Sequence, residues 1–383
     1  MRIVIAPDSF KGSLNSAPAA AAIAAGLREV DGTVDPVLIP MADGGEGTVE
    51  AISILLGGEI VSVTVHDPLD RPVEAGYGWV EERKLAIVEM AAASGLPLLK
   101  DDERDPLGAS TRGTGELLRD ALERGAREVI LGLGGSATND GGMGFLTALG
   151  VRFLDHEDET LRGCGVNLAA VRRIDASGLD SRLREVRVTV ASDVDNPLLG
   201  EHGATHVFGP QKGVEGELLE ELENGMAHYA QLMVEAAGRD CRETPGAGAA
   251  GGFGFGLMSL MPQVTLRSGF SLIAELGELE RTIRGAALVI TGEGKLDSQS
   301  LHGKVPVGIA RIGREAGVPV AAFAGRIDGE PEDFRAEGIQ ALVPIVDQPM
   351  DLATAMREAE ALLTRAAARF WQTVRLGMKL RQG

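Results

Sequence analysis

Short runs of valine and isoleucine alternate with longer amphipathic stretches at both ends of this chain of 383 residues. Apolar runs of this length predict buried strands, and amphipathic stretches that end near a glycine predict helices. At the two ends, the predicted strands are residues 2–6, 34–40, 286–291, 318–324 and 341–346, and the predicted helices are residues 16–30, 46–56, 305–316 and 353–376. Such alternation favours parallel strands joined by right-handed crossovers, with helices on both faces of the sheet.

The middle of the chain follows a different pattern. Predicted strands at 61–66, 77–81 and 85–90 are separated only by turn-forming residues, which favours antiparallel pairing. Further predicted elements are helices at 114–124, 142–149 and 215–237 and strands at 128–132, 151–154 and 185–191.

These two patterns predict an α/β protein of two domains. We expect a Rossmann- or flavodoxin-like parallel-sheet domain built from both chain ends, residues 1–66 and 285–383. A second domain of the α+β class, residues 67–284, is inserted between those two segments.

The charge balance excludes several classes of partner. Acidic residues outnumber basic ones by 56 to 37, which gives a formal charge of −19. Nucleic acids and anionic membranes are bound by basic surfaces, so we expect neither as a partner. Two cysteines are too few for a disulfide framework, and no apolar run reaches the length of a membrane span. We therefore expect a cytoplasmic protein, and a homodimer is the assembly that we consider.

Five loops that follow predicted strands combine glycine with aspartate or glutamate. They are PDSFKG (7–12), ADGGEG (42–47), GGSATNDGG (134–142), SDVDNP (192–197) and GEGKLDSQ (292–299). Glycine lets backbone N–H groups approach a phosphate, and ligands of open α/β sheets bind where such loops follow strands. A carboxylate beside the glycines suits a phosphate that is held together with Mg²⁺.

Lysine usage supports a phosphate ligand. Only seven residues are lysine, and four of them adjoin a glycine: Lys11, Lys212, Lys295 and Lys304. A compact ammonium group beside glycine N–H groups is a common way to bind phosphate.

Other readings of the glycine loops remain open. No G-x-x-x-x-G-K-[ST] sequence occurs, which excludes a P-loop. Residues 132–137 fit G-x-G-x-x-A, and Asp155 lies 23 residues after Gly132, so a nicotinamide-dependent oxidoreductase is one alternative. A non-catalytic sensor that binds a phosphorylated metabolite is another.

Eight motifs together resemble those of the bacterial type I glycerate kinases, in the order of that family and over essentially the whole chain. They are APDSFKGS (6–13), MADGGEGT (41–48), GTGELL (113–118), LGGSATNDGGMG (133–144), ASDVDNPLLG (191–200), FGPQKG (208–213), GAGAAGGFG (246–254) and TGEGKLDSQSLHGKVP (291–306). The resemblance implies two α/β domains with an active site in the cleft between them. It also implies ATP-dependent phosphorylation of D-glycerate to 2-phosphoglycerate; phosphorylation at C3 stays an alternative. Lys295 and Val214 depart from the family pattern, since arginine and a small residue are commoner there.

Phosphoryl transfer requires a base, charge neutralisation and positioning, and we assign residues to each task. Asp43 and Asp193 are the candidate bases, with Lys11 as a further catalytic residue, and the sequence does not separate base from metal ligand. The expected substrate-binding residues are Asp8, Ser9, Lys11, Gly44, Gly45 and Arg71. The expected ATP-binding residues are Gly134, Gly135, Ser136, Thr138, Asn139, Gly141, Gly142, Lys212 and Lys304, and the expected Mg²⁺ ligands are Asp193, Glu293 and Asp297.

Overall fold

The structure is a computed structural model that describes residues 1–298, 300–302 and 304–382. Gln299 and Gly303, which belong to the motif at 291–306, lie outside the described residues. In chain order the strands of the described residues are β1 (Arg2–Ile5), β2 (Asp35–Leu38), β3 (Glu59–His66), β4 (Pro72–Val80), β5 (Leu85–Glu89), β6 (Glu128–Gly132), β7 (Arg152–Leu154), β8 (Arg173–Asp175), β9 (Arg187–Ala191), β10 (Val264–Arg267), β11 (Leu288–Asp297), β12 (Val320–Asp328) and β13 (Ile339–Pro344).

The helices vary in length from one turn to six. They are α1 (Ser16–Val30), α2 (Thr48–Leu56), α3 (Ala91–Ser94), α4 (Arg112–Glu123), α5 (Met143–Ala148), α6 (Ala204–Phe208), α7 (Glu217–Ala237), α8 (Ala249–Leu260), α9 (Gly269–Leu276), α10 (Leu279–Arg284), α11 (Val305–Ala316), α12 (Pro331–Glu337), α13 (Leu352–Arg357) and α14 (Ala359–Gln382). No helix of the described residues is long and apolar enough to cross a membrane.

The first of two compact units comprises Met1–Asp43, Glu50–Leu56 and Phe270–Gly383. Its sheet has five parallel strands in the order β13-β12-β11-β1-β2. Numbered within this unit, that order is 5-4-3-1-2, which is the flavodoxin-like arrangement. The chain therefore leaves β1 toward one side of the sheet and returns, through β11, on the other side.

The core of the first unit follows from its composition. Three consecutive residues of β1, Ile3, Val4 and Ile5, have no exposed surface, as expected for a strand that is covered on both faces. The alanine-rich α1 packs against α14 so closely that a Cβ on Gly26 would lie 2.1 Å from the Thr364 carbonyl oxygen. Small residues thus let the two helices approach and cover the sheet.

The second unit comprises Gly44–Val49 and Gly57–Gly269. Its sheet has the order β10-β9-β6-β5-β4-β3, with β3, β4 and β5 antiparallel and the other pairs parallel. The antiparallel pairing that the turn-forming residues predict is therefore confirmed. β7 and β8 form a separate antiparallel pair outside this sheet. With parallel strand pairs in the sheets of both units and helices between the strands, the fold is of the mixed α/β class that the sequence predicts.

One strand joins a different sheet from that of its expected domain, and one segment differs from its expected structure. Residues 59–66, expected to close the first segment of the discontinuous domain, form β3, which pairs along its whole length with β4 in the second sheet. Residues 292–297, expected to be a loop, instead continue β11, and this expectation is wrong. The reason is that β12 also runs on and pairs with β11 as far as Asp297 and Asp328.

Candidate functional site

The carboxyl end of β1 is the topological switch point of the first sheet. In open α/β sheets of the flavodoxin-like order, ligands bind at the crevice between the first and third strands of the unit. Here those strands are β1 and β11, and β1 pairs with β11 only as far as Ile290. Asp8 and Glu293 both lie beyond this last pair, at the place where the topology predicts a ligand.

Asp8 is held by the backbone on both sides of the crevice. Its N–H donates to the Gly292 carbonyl oxygen at 2.8 Å, and its Oδ1 accepts the Ser9 N–H at 2.7 Å. Only 8% of the residue is exposed, and this burial raises the pKa of the Asp8 carboxyl well above its usual range. Asp43 and Glu293 raise this pKa further, whereas the Ser9 N–H and Lys304 lower it.

Glu293 is a second buried carboxyl beside Asp8. Its Oε1 accepts the Ser300 hydroxyl at 2.6 Å, and burial is the main reason that its pKa is raised. Lys304, which directly precedes the first turn of α11, opposes this rise, while Asp43 adds to it. We call Asp8, Asp43, Glu293 and Lys304, all residues of the first unit, the acidic cluster.

The other assigned residues of the first unit lie close to this cluster in the chain. Ser9 is half-buried, and Lys11 is exposed in a tight turn that the Ser13 N–H closes onto the Phe10 carbonyl oxygen. A Cβ on Gly294 would lie 3.4 Å from the Lys11 backbone nitrogen, so this turn packs against β11. Asp8, Ser9 and Lys11, three of the residues expected to contact the substrate, thus follow β1 directly.

Asp297 has a different environment from Glu293. Its Oδ2 lies 2.8 Å from the Lys295 Nζ, and its Oδ1 accepts the Ser300 N–H at 3.3 Å. Because Ser300 also donates to Glu293, this serine links the two carboxylates. Ser300 was not among the predicted site residues, although it lies inside the motif at 291–306.

In the second unit, three predicted loops meet at the carboxyl ends of neighbouring strands. The Gly134 N–H donates to the Gly44 carbonyl oxygen at 3.3 Å, and a Cβ on Gly134 would lie 2.4 Å from the Gly45 Cα. A Cβ on Gly44 would lie 2.6 Å from the carbonyl oxygen of Ala191, the last residue of β9. Asp193, two residues after Ala191, is exposed. The structure therefore brings Gly44, Gly45 and Gly134 together, beside the loop that carries Asp193.

Only the first part of the loop at 134–142 is accessible. Thr138 and Asn139 have no exposed surface, the Gly141 N–H donates to the Gly251 carbonyl oxygen, and the Gly142 N–H donates to Asp140. These internal hydrogen bonds occupy the two glycine N–H groups that the sequence analysis assigned to phosphates. Gly134 and Gly135 retain exposed surface, and Ser136 is 6% exposed.

Asp140 explains why this loop turns inward. Its Oδ2 accepts the Thr111 N–H at 2.9 Å, the Thr111 hydroxyl at 2.7 Å and the Gly144 N–H at 3.1 Å. The carboxyl is completely buried, which raises its pKa, and these donors oppose the rise. Asp140 therefore fastens the loop to the start of α4 and α5 rather than facing a ligand.

Lys212 and Arg71 are engaged with other protein groups. Lys212 is 1% exposed, its Nζ donates to the Thr138 carbonyl oxygen at 2.6 Å, and burial lowers its pKa to about 7. Arg71 donates to Asp67 at 2.6 Å and to Glu103 at 2.8 Å. Each cation thus stabilises a loop of the second unit.

Glu89 is a residue of this region that the sequence analysis missed. It is the last residue of β5, and its Oε1 accepts the Val49 N–H at 2.6 Å. The signal in the sequence is a single charge at the end of the apolar run LAIVE, where a buried strand otherwise excludes charge.

The donor chemistry of the acidic cluster fits Mg²⁺. Among the described residues, no group of three His, Cys, Asp or Glu is arranged to hold a metal ion. Mg²⁺ in phosphate-binding sites is usually held by only one or two carboxylates, with phosphate and water oxygens completing its six ligands. Carboxylates whose pKa is raised by burial and by neighbouring carboxylates, such as Asp8 and Glu293, supply hard oxygen donors of this kind, and a cation would offset the repulsion.

The sequence matches the glycerate kinase family over residues 3–375. It is 45% identical over 376 residues to a glycerate kinase of Bacillus subtilis (strain 168), covering 98% of each chain. It is 43% identical over 379 residues to the glycerate 2-kinase of Escherichia coli (strain K12), covering 99% of each. A crystal structure described as glycerate kinase 2 from Salmonella typhimurium LT2 has 42% identity, covers 99% of both chains and superimposes with a TM-score of 0.86. The chain therefore belongs to the glycerate kinase family, enzymes of ATP-dependent phosphorylation.

Proposed function

We propose that this enzyme transfers the γ-phosphoryl group of ATP to the C2 hydroxyl of D-glycerate, giving 2-phosphoglycerate and ADP. The observation that carries the proposal is the acidic cluster, because buried carboxylates and one lysine lie where the first sheet has its switch point. The choice of C2 rests on the similarity to the glycerate 2-kinase of Escherichia coli.

In the proposed reaction Asp43 is the base. Its carboxylate accepts the proton of the C2 hydroxyl while the bond from that oxygen to the γ-phosphorus forms and the bond from the γ-phosphorus to the leaving oxygen of ADP breaks. A positioned base of this kind contributes a factor of about 10²–10⁴ to the rate. Asp8 and Ser9 orient the hydroxyl groups of glycerate, and Lys11 binds its carboxylate.

The phosphates of ATP are assigned to Lys304 and to residues 134–136, the accessible part of the glycine loop. Gly44 and Gly45 bring backbone groups close to that loop. Lys212 and Arg71 are not assigned to ligand binding. Lys212 is buried and donates a hydrogen bond to Thr138, and Arg71 is paired with two carboxylates.

Asp193 and Glu293 are the residues that would hold Mg²⁺. When bound, this ion supplies charge neutralisation at the phosphate oxygens. Asp297 is assigned a supporting role, since it shares Ser300 with Glu293 and is paired with Lys295.

The test is a ³¹P NMR spectrum of the product made from ATP, Mg²⁺ and D-glycerate by the purified protein. We expect one new phosphomonoester signal that coincides with added 2-phosphoglycerate, and we expect a chelator to abolish the reaction until Mg²⁺ is restored. A signal that coincides with 3-phosphoglycerate would overturn the choice of C2. No phosphorylated product, with tight binding of a phosphorylated metabolite, would favour the sensor instead.

A further inference from the structure

Residues 44–49, which we call the docking segment, belong to the second unit and contact the carboxyl ends of three of its strands. Gly44 lies against the ends of β6 and β9: a Cβ on Gly132 would lie 2.6 Å from the Gly44 carbonyl oxygen, and a Cβ on Gly44 would lie 2.6 Å from the Ala191 carbonyl oxygen. The third contact comes from β5 and is made by a side chain, the carboxylate of Glu89.

The carboxylate of Glu89 lies at the N-terminus of α2. Its Oε1 accepts the Val49 N–H at 2.6 Å, and the N–H groups of Gly47 and Thr48 are close enough to lower its pKa. The first N–H groups of a helix have no partner within the helix, and a negative charge is favourable beside them. Glu89 therefore satisfies donors that would otherwise need water or a ligand.

The origin of this cap is unusual. N-terminal caps normally come from the residue just before the helix, because only a short side chain can fold back onto the first turn. Here the carboxylate comes from a strand 40 residues later in the chain, opposite Gly132 in the register of β5 and β6. A local cap would fix only the helix end, whereas this one fixes the docking segment to the sheet.

Burying the Glu89 carboxylate at its hydrogen bond to Val49 costs free energy. The residue is half-buried, and burial raises its pKa to about 7, with Glu46 adding to the rise. An apolar or amide side chain would avoid this cost. A carboxylate at this position is expected only if its hydrogen bonds to the segment have a use.

We propose that Glu89 is a positioning residue for glycerate, which fixes residues 44–49 on the second sheet so that Gly44 and Gly45, and Asp43 before them in the chain, present a defined surface to the substrate. This inference rests on the proposed function, because it uses Asp43 as the base that meets glycerate and the expectation that Gly44 and Gly45 bind the same substrate. Glu89 itself contacts neither substrate nor reacting atoms in this proposal.

The test compares Glu89→Gln with the wild type in steady-state kinetics, varying D-glycerate and ATP separately. The amide keeps the size of the side chain but removes its charge and places an N–H₂ group among donors. We expect the KM for D-glycerate to rise by about 10-fold to 100-fold, since a displaced substrate contact costs factors of this size, while the KM for ATP changes by less than about 3-fold. The Val49 amide proton signal of the wild type should move upfield in the variant as its charge-assisted hydrogen bond is lost.

The matched control is Glu128→Gln, a glutamate at the other end of the same sheet that is paired with Arg83 and Arg187. It should leave both KM values unchanged. If Glu89→Gln does not fold, Glu89→Asp withdraws the carboxylate by one methylene and should raise the same KM.

The outcomes separate this inference from the proposed function. An inactive wild type refutes the proposed function. An active wild type whose KM for D-glycerate is unchanged by the Glu89 variant refutes the positioning role, and so does an equal rise in both KM values, which would indicate a general structural defect.

Discussion

The loops at the carboxyl ends of the two sheets differ in the atoms that they present: side-chain atoms in the first unit and backbone atoms in the second. In the first unit, they present side chains: burial raises the pKa of Asp8 and of Glu293, Asp43 raises both further, and Lys304 lowers both. In the second unit, the corresponding loops contact one another through backbone atoms, since the Gly134 N–H meets the Gly44 carbonyl oxygen and Gly44 packs on Ala191. Both loop sets occupy the ligand-binding edge of a parallel sheet.

This difference indicates how each region contributes to a phosphoryl transfer. Buried charges can accept a proton or neutralise phosphate, and removing one leaves the backbone in place. Close backbone contacts shape the surface that a ligand meets, and adding one side-chain atom changes that shape. Substitutions in the acidic cluster should therefore lower kcat at constant stability, whereas substitutions among the glycines should lower the free energy of unfolding.

The largest expected effect is that of Asp43→Asn. The amide cannot accept the proton of the substrate hydroxyl, so kcat should fall by about 10²–10⁴-fold. Removing one of several mutually repelling carboxylates should leave the midpoint of thermal unfolding unchanged or raise it. Steady-state kinetics and thermal unfolding on the same preparation measure both quantities.

Asp35→Asn is the matched control, since Asp35 is an exposed aspartate at the start of β2 in the same unit. It should leave kcat within a factor of two of the wild type. A kcat for Asp43→Asn within 10-fold of the wild type would remove Asp43 from the role of base and leave Asp193 as the candidate.

Gly44→Ala is expected to have an intermediate effect. Gly44 has φ +94°, and its added Cβ would lie 2.6 Å from the Ala191 carbonyl oxygen, so both the backbone and the neighbouring strand would have to shift. We expect the free energy of unfolding to fall by about 2–3 kcal/mol, measured by urea denaturation.

Gly47→Ala separates the two causes. Gly47 also has positive φ, +90°, but no atom of the described residues, apart from its chain neighbours, lies within 4 Å of its added Cβ. Gly47→Ala should therefore lower the free energy of unfolding only by the part that is due to backbone strain, about 1 kcal/mol. An equal fall in the free energy of unfolding of the two variants would show that the contact between Gly44 and Ala191 does not affect stability, and that the glycine loops of the second unit are not tightly packed.

The sequence predicted the fold class because its strongest signal, the alternation of apolar runs and amphipathic stretches, reflects local periodicity. Residues 16–30 and 305–316 are helices at the predicted bounds. The extension of β11 through GEGKLD was not predictable in this way, because its glycines and charges are typical of loops and the strand is held there by pairing with β12.

For the candidate site, loop composition identified which loops come together but not which side chains face outward. Gly44, Gly45 and Gly134 were singled out by their glycines, and they meet. Lys212 and Asp140 lie in loops of the same glycine-rich composition, yet both are buried. The reason is that each forms hydrogen bonds with a partner distant in sequence, Thr138 for Lys212 and Thr111 for Asp140. Such partners follow from tertiary packing, and motif spacing does not contain them.

The smallest expected effect concerns Lys212, which donates a hydrogen bond to Thr138 in the buried part of the glycine loop at 134–142. Burial lowers its pKa to about 7 from the usual 10.5, so between these values the unfolded chain binds more protons than the folded one. Lys212 should therefore contribute a rise of about 1 kcal/mol to the free energy of unfolding of the wild type from pH 7 to pH 8. Lys212→Met lacks this linkage, so its stability relative to the wild type should fall by the same amount over that interval, as measured by urea denaturation at both pH values.

Lys100→Met, at an exposed position, should show no such change. If the wild type and Lys212→Met keep a constant difference from pH 7 to pH 8, the ammonium is solvated, and the glycine loop it holds would then be open enough for Lys212 to reach a phosphate after all.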